Sequence, residues 1–243
     1  MLKLVWLVCL TAALAIAAAP PGYKLAWSDE FDGARVDITK WVYRTDSKHW
    51  STQKPANASV ANGYLVIALG KESAGDKQYS GGGVISRQAF RFGYYESRFR
   101  IVAGKGWHSS FWMMGHDGSG GTATGATRLE LDVIENDSID PASYGVTVHK
   151  WEGQHQSYGH KNIGVSPPLS EFHVFGCEYT PTEVRYFLDG RLVQTVDVSK
   201  LPHGDLNIWL TSIASYLGKT DAVDDARLPG RVEYDYVRFY TRP

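Results

Sequence analysis

The sequence has too few cysteines for a disulfide framework, because its 243 residues contain only Cys9 and Cys177. Cys9 lies in an apolar N-terminal run, so its removal during export would leave Cys177 without an intramolecular partner. Cys177 itself lies in the apolar-rich run Phe172–Tyr179. This setting favours a buried packing thiol over a nucleophile.

An excess of charge of one sign is also missing. Lys plus Arg amount to 25 and Asp plus Glu to 26, which gives a formal net charge of −1. A protein that binds duplex nucleic acid needs a basic face, and no part of this chain clusters basic residues in that way. We therefore expect no nucleic-acid partner.

The motifs of several common enzyme classes are absent as well. Neither G-x-S-x-G nor H-E-x-x-H occurs, and no pair among the 8 His has metal-ligand spacing beside a third ligand. Gly218-Lys219-Thr220 resembles the end of a phosphate-binding loop, but Ile213 stands where the first Gly would be. The sequence thus favours neither a serine-hydrolase elbow, nor a zinc-protease helix, nor a nucleotide cradle.

Residues 1–19 have the order of a secretory signal. Lys3 precedes the apolar run Leu4–Ala19, which ends in small residues and is shorter than the roughly 20 residues of a spanning helix. Cleavage near Ala17 fits the small-x-small rule, so we expect an extracellular or periplasmic chain without membrane attachment after cleavage. We also expect a monomer. A retained N-terminal anchor is the alternative.

Aromatic residues and glycine are abundant, with 8 Trp, 14 Tyr, 9 Phe and 25 Gly. Between Gly, Asp, Asn and Pro, short β-branched and aromatic runs recur, and Asp189-Gly190 is a two-residue hairpin signal. So many strands must split into two packed sheets, which predicts one β-sandwich domain over residues 20–243. The predicted strands are Tyr64–Leu69, Gly83–Arg87, Tyr94–Val102, Ser110–Met114, Leu129–Glu135, Gly145–Trp151, Phe172–Tyr179, Val184–Leu188, Arg191–Val196, Leu206–Ser212 and Val232–Tyr240.

Three carboxylates interrupt one of these apolar strands. Glu130 and Asp132 share a face, because their spacing is even, whereas Glu135 would point into the core. Burial of an unpaired carboxylate is very costly, so either the strand ends before Glu135 or a β-bulge turns it back beside the other two. A solvated strand edge and a catalytic cluster on one concave face both remain open from these residues alone.

The stretch Glu130-Leu131-Asp132-Val133-Ile134-Glu135 resembles the E-x-D-x-x-E motif of glycoside hydrolase family 16, in its bulged branch of laminarinase-like and agarase-like enzymes. The resemblance extends over nearly all of the exported chain, with landmarks in the order of the family. These landmarks are Trp27–Gly33, Trp41, Phe92–Arg98, Phe111-Trp112, Asp189-Gly190 and Asp235–Tyr240.

The resemblance implies a concanavalin-like β-jelly-roll sandwich of two antiparallel sheets, with a carbohydrate cleft across the concave sheet. It implies that Glu130 is the nucleophile, Glu135 the general acid/base and Asp132 the assisting carboxylate, with no cofactor for catalysis. A retaining mechanism needs two carboxyls about 5–5.5 Å apart, one ionised and one protonated. Because three crowded acids resist full ionisation, at least one proton should be held to higher pH than in water.

Side-chain parity and the family pattern together suggest the residues that bind sugar. Glu96 and Arg98 share one strand face, with a cross-strand salt bridge as the alternative. Asn207 and Trp209 share the face opposite to core-directed leucines and an isoleucine, as in an Asn-x-Trp strand of related glucanases where the Trp stacks on a sugar.

Further candidates for the cleft are Trp107 and Trp112, and His149 and Trp151 in the strand after the acids. A buried core position is the alternative for Trp112, and a structural histidine the alternative for His149.

Family members often hold a structural calcium away from the cleft, and the matching positions here are Glu30, Gly63 and Asp235. Oxygen-only ligands suit that ion.

The substrate is not fixed by these patterns. Many glucan-cleaving relatives carry Trp-Pro-Ala where this chain has Trp107-His108-Ser109, and the loop from Gly115 to Thr127 is long and Gly-rich. β-1,3-Glucans, mixed-linkage glucans and β-galactans therefore all remain open, while the near-zero net charge argues mildly against heavy sulfation. The alternatives to an endo-acting retaining hydrolase are a transglycosylase, a non-catalytic carbohydrate-binding module and a tethered surface protein.

Overall fold

The computed structural model describes residues 20–116 and 129–243, which form a β-sandwich of the jelly-roll type. The two 3₁₀ turns within these ranges are Pro55–Asn57 and Asp225–Arg227. The strands are β1 Lys24–Asp29, β2 Trp41–Tyr43, β3 Ser47–Lys48, β4 Ser51–Gln53, β5 Ala58–Ala61, β6 Tyr64–Ala74, β7 Lys77–Phe90, β8 Gly93–Val102, β9 Trp107–Met114, β10 Leu129–Asn136, β11 Ser143–Lys150, β12 Gln156–Gly164, β13 His173–Tyr179, β14 Glu183–Leu188, β15 Arg191–Asp197, β16 Leu206–Ala214 and β17 Gly230–Thr241.

Two sheets face each other across the core. One sheet, here called the cleft sheet, has the strand order β12-β11-β10-β9-β16-β7-β2. The other, the outer sheet, has the order β15-β14-β13-β8-β17, and both β1 and β6 pair with the second edge of β17. All these pairings are antiparallel, whereas the short β4 runs parallel to β7.

Strands β6 and β7 connect the two sheets. The first part of β6 pairs with β17, and its later part pairs with the start of β7. The rest of β7 then joins β16 and β2 in the cleft sheet. Long strands that change sheets in this way close one side of the sandwich.

The core follows from strand alternation in both sheets. Leu206, Ile208 and Leu210 of β16 lie in the main apolar cluster, as predicted. The buried Cys177 packs in the same cluster as a free thiol. The Asp189-Gly190 hairpin is confirmed, since both residues have positive φ, 49° and 76°.

The predicted signal segment, residues 1–19, lies outside the described residues, as does most of the Gly-rich loop. Among the residues described, no helix is long and apolar enough to span a membrane.

Candidate active site

The acidic strand β10 contains the bulge that the spacing of its carboxylates required. Against β9, Asp132 pairs with Trp112 while Ile134 pairs with the next residue back, Phe111, so that Val133 is the extra residue. The register against β11 shifts over the same stretch. Because of this inserted residue, Glu135 returns to the face that carries Glu130 and Asp132.

The three carboxylates lie together in a cleft of about 700 Å³ across the cleft sheet. Its walls combine aromatic rings, histidines and hydroxyl groups, a lining suited to sugar rings and their hydroxyls. The lining includes Ser110, Trp112, His149, Trp151 and Thr211.

Glu130 and Asp132 form a proton-sharing pair at the centre of this cleft. Trp151 Nε1 donates a 2.6 Å hydrogen bond to Glu130 Oε2. Burial, followed by the charges of Glu135 and Glu130, raises the pKa of Asp132 well above its usual range. Burial also raises the pKa of Glu130, although the hydrogen bonds from Trp151 and Asp132 oppose it. Asp132 therefore holds the proton and donates it towards Glu130, which is the direction expected for crowded acids.

His149 approaches the buried oxygen of this pair. Its Nε2 lies 3.3 Å from Asp132 Oδ2, without the alignment of a hydrogen bond, so that this oxygen has no hydrogen-bond partner in the described structure. Burial lowers the pKa of His149, which favours a neutral ring. The structure thus brings His149 and Trp151 to the cleft, where the sequence predicted them.

Glu135 has a different environment from the other two acids. Its Oε1 lies 3.2 Å from Nε2 of His108, whose Nδ1 lies 2.7 Å from Asp137 Oδ1. Burial raises the pKa of Glu135, but the hydrogen bond and charge of His108 outweigh that effect and lower it. Burial lowers the pKa of His108, whereas its bonds to Asp137 and Glu135 raise it to about 9.

The sequence did not identify His108 and Asp137 as functional residues. A usable signal was present, because His108, Ser110 and Trp112 alternate along β9 and share one face. Once Trp112 is assigned to the cleft, the same parity assigns His108 to it.

Trp112 and Trp209 form a stacked pair at the floor of the cleft. Their ring centroids lie 4.5 Å apart with an interplanar angle of 27°. Trp209 is only 1% exposed and its Nε1 donates to Met114 O, whereas Trp112 is partly exposed. Trp209 does face the cleft side of β16, but the ring open to a sugar is that of Trp112, and the predicted stacking role of Trp209 is corrected accordingly.

Asn207 shares the face of Trp209 and yet is not a free sugar ligand. Its Nδ2 donates to Ser86 O at 2.7 Å, and its Oδ1 accepts from the backbone N–H of His116 at 2.9 Å. The amide is therefore used to tie β16 to β7 and to the end of β9. The prediction of a substrate-binding Asn207 is not supported.

Trp107 belongs to the core. It is 0% exposed, lies in the main apolar cluster and meets the ring of Tyr79 edge-on at 6.2 Å. Its odd spacing from Trp112 places it on the opposite face of β9. The prediction that Trp107 binds substrate is wrong.

Glu96 and Arg98 are on one strand face, as predicted, but in the outer sheet and away from the cleft. Arg98 forms a 2.6 Å ion pair with Asp235 on the neighbouring strand, which is the cross-strand salt bridge that was the alternative. Glu96 is fully buried and accepts from Tyr236 OH at 3.0 Å, and burial raises its pKa to about 7. Parity gave the correct face of the strand but not the sheet to which it belongs.

The proposed calcium ligands are engaged by arginines. Arg238 makes two bonds, of 3.0 and 2.8 Å, to the carboxylate of Glu30, and Arg98 pairs with Asp235. Gly63 lies in the tight β5–β6 turn with φ 77°. A cation that used these two carboxylates would have to displace both guanidinium groups, so the side chains do not fit a calcium ion.

Within the described ranges, the one cluster with the spacing of metal ligands consists of Glu130, Asp132 and His149, whose ligand atoms lie within 4.8 Å of one another. These are the residues of the proton-sharing pair and its neighbour, and we assign no metal to them.

Comparison with known proteins finds relatives that are named as glycoside-cleaving enzymes. A family model described as "Beta-porphyranase A-D, GH16 domain" matches residues 24–242. The β-glucanase of Rhodothermus marinus is 27% identical over 250 residues, which cover 90% of this chain and 86% of the relative. The keratan-sulfate endo-1,4-β-galactosidase of Sphingobacterium multivorum is also 27% identical, over 94% of this chain and 58% of its own length.

Solved structures show the same fold. SCLam, a non-specific endo-β-1,3(4)-glucanase from family GH16, superposes with a TM-score of 0.80 at 26% identity, covering 93% of this chain and 94% of that chain. LamAcat from Zobellia galactanivorans superposes with a TM-score of 0.79 at 23% identity, covering 89% and 97%. The predicted jelly-roll fold is confirmed.

Proposed function

Because the chain belongs to glycoside hydrolase family 16, we propose that it is a retaining endo-β-glycosidase that cleaves internal bonds of a polysaccharide by double displacement. The observation that carries this proposal is the bulge at Val133, which gathers Glu130, Asp132 and Glu135 in one aromatic-walled cleft. A carbohydrate-binding module needs the aromatic walls but has no use for three crowded acids, whose burial costs free energy.

In the first step Glu130 attacks the anomeric carbon. Its carboxylate is oriented by Trp151 Nε1 and stays ionised because Asp132 holds the shared proton. When Glu130 forms the new bond it loses its negative charge, so the hydrogen bond that it accepts from Asp132 becomes weaker. Glu135, on the same face beyond the bulge, protonates the leaving glycosidic oxygen.

In the second step Glu135 acts as a base. It removes a proton from a water molecule that attacks the glycosyl-enzyme from the side the leaving sugar has vacated. Two inversions at the anomeric carbon give net retention. Trp112 supplies the ring on which a sugar stacks close to the reacting bond.

The substrate class we propose first is a β-galactan. The family model that spans residues 24–242 is named for β-porphyranases, and one relative with near-complete coverage of this chain is named as an endo-β-galactosidase. A β-1,3- or mixed-linkage glucan is the second candidate, supported by relatives and solved structures named as glucanases. These glycans differ in linkage and hydroxyl configuration, not in the chemistry required of the two glutamates.

The experiment is a reducing-end assay over porphyran, agarose, laminarin and mixed-linkage β-glucan, with Glu130→Gln as the matched inactive control. We expect new reducing ends and a rapid fall in polymer length on one galactan, as for internal cleavage. Proton NMR of the first products should show the β-anomer. Release of the α-anomer would exclude double displacement, and wild-type protein that binds a polymer without cleaving any member of the panel would favour the binding module.

A transglycosylase would use the same residues and differ only in the acceptor for the second step. Product analysis at high substrate concentration distinguishes the two outcomes, since transfer yields chains longer than the starting oligosaccharide.

A further inference from the structure

Glu135 in the resting cleft has the wrong protonation state for a general acid. Its neighbour His108 offers Nε2 at 3.2 Å from Glu135 Oε1, and His108 Nδ1 faces Asp137 Oδ1 at 2.7 Å. Since each ring nitrogen faces a carboxylate oxygen, both nitrogens carry hydrogen and the ring is cationic. The buried ion pair therefore holds Glu135 as a carboxylate.

Resting on the function proposed above, we propose that His108 is the proton store of the acid/base: it hands its Nε2 proton to Glu135 when substrate fills the cleft, while Asp137 holds the ring in place. His108 is thus a positioning residue that acts through Glu135. The support is geometric, because one side chain from β9 is only 9% exposed and bridges two carboxylates of β10 and its end.

The proton count closes over one turnover. In the first step the Nε2–H bond breaks and an O–H bond forms at Glu135 Oε1, which leaves a neutral ring with its remaining hydrogen on Nδ1 towards Asp137. Glu135 then passes this proton to the leaving oxygen. In the second step Glu135 takes a proton from water and returns it to Nε2, so that the enzyme ends as it began.

Substrate binding supplies the driving force for the transfer. A sugar stacked on Trp112 removes water from beside Glu135, and the ion pair of His108 and Glu135 loses more from this desolvation than a neutral acid and a neutral imidazole do. Asp137 remains a carboxylate hydrogen-bonded to Nδ1–H, which keeps Nε2 directed at Glu135 in either state.

Other ionisable groups face this pair from every side. Glu130, Asp132, His149 and His160 lie around Glu135, and His49 lies on the side of His108. Arg44 and Lys48 line the same cleft. Among these groups, only Asp137 and Glu135 accept hydrogen bonds from His108, and against the opposing effect of burial they raise the pKa of His108 to about 9.

The first test is independent of activity. Nitrogen-15 NMR of the histidine rings in the free wild-type protein should give His108 a pKa well above the usual 6.5, near 9, and Asp137→Asn should lower it. Titration of His108 at or below the usual value would overturn the proposal, whatever substrate the enzyme uses.

The second test compares leaving groups. His108→Gln keeps a polar side chain of similar length but cannot store a proton, so at a pH where Glu135 alone has lost its proton, cleavage of a polysaccharide should fall by about 10²-fold, within the usual contribution of general acid catalysis. An aryl glycoside with a good leaving group needs no acid and should be cleaved at a nearly unchanged rate. Equal losses on both substrates would show a merely structural role.

The third test is the dependence of kcat/KM on pH. In the wild type, kcat/KM should fall on the alkaline side only when the last proton leaves the His108–Glu135 pair. In His108→Gln that proton resides on Glu135 alone, so the alkaline limb should move to lower pH. The matched control is His173→Gln, which separates a buried histidine of the outer sheet from its exposed carboxylate partner, Asp189, at 2.8 Å. Its limb should stay in place; an unmoved limb in His108→Gln would overturn the proposal. Wild-type inactivity on every glycan would instead contradict the proposed function, while the NMR titration would still decide the state of the pair.

Discussion

Truncation of Trp209 should damage the fold more than the binding of substrate. Its ring is 1% exposed, lies between β16 and the Trp112 ring, and donates from Nε1 to Met114 O at 3.1 Å. The Arg44 guanidinium lies 5.7 Å from the centre of the same ring. Trp209→Ala would therefore open a cavity beneath Trp112 and leave the Met114 carbonyl without its donor.

The magnitude follows from this burial. Replacement of a buried Trp by Ala costs about 3–5 kcal/mol of unfolding free energy, and for a domain of this size each kcal/mol lowers Tm by about 2–4 °C. We therefore expect Tm to fall by about 10 °C. Trp112→Ala removes a partly exposed ring, so its cost in stability should be smaller and its rise in KM larger.

Thermal unfolding and steady-state kinetics on the same preparations decide the matter. The double variant Trp112→Ala/Trp209→Ala should reveal a coupling of about 0.5–1.5 kcal/mol beyond the single effects, as stacked aromatic pairs do. If Trp209→Ala kept its Tm while its KM rose sharply, Trp209 rather than Trp112 would be the stacking ring and the burial argument would be refuted.

Three further outcomes are expected. With azide and an activated β-glycoside, Glu130→Ala should give the α-glycosyl azide by direct attack and Glu135→Ala the β-azide through the glycosyl-enzyme, as read by proton NMR; exchanged anomers would reverse the two roles. Export should release a chain that begins near Ala18, and an intact mass that still includes Met1 would contradict this. Asp132→Asn should abolish most activity and yet raise Tm, by an amount that grows from pH 4 to pH 8, in calorimetry at both values.

The spacing of residues along single strands predicted much of the fold and the three acids at the centre of the site. The even step from Glu130 to Asp132 and the odd step to Glu135 required either a strand end or a bulge, and the bulge is present at Val133. The same arithmetic placed Leu206 in the core. Such predictions succeed because a strand has a fixed period of two and a buried face tolerates no unpaired charge.

The missed features depend on contacts between strands that are distant in sequence. Glu96 has the predicted parity, but only the pairing of β8 with β13 and β17 puts it in the outer sheet. Strand β12 escaped prediction because its residues are mostly exposed and polar, without alternation. The wrong prediction for Trp107 was avoidable, because Trp107 and Trp112 are five residues apart and an odd spacing puts them on opposite faces of a regular strand.

Asp132 lowers the stability of the native state at neutral pH, although the proposed reaction needs it. In the unfolded chain this carboxyl ionises near pH 4, whereas burial and the charges of Glu135 and Glu130 hold its native pKa far higher. A group with a raised native pKa contributes its stability below the unfolded value and loses it as pH rises towards the native one, so wild-type protein should become progressively less stable above about pH 4 on account of this residue. Asparagine does not titrate, so it removes this dependence of stability on pH. The stability gained by Asp132→Asn should therefore be small at pH 4 and larger at pH 8.

The same substitution removes the proton shared with Glu130. The more stable variant should therefore also be the one in which the ionisation of the nucleophile Glu130 is no longer maintained by its neighbour. A Tm gain that did not change with pH would show that Asp132 is ionised in the native cleft and that the proton resides elsewhere among the three acids.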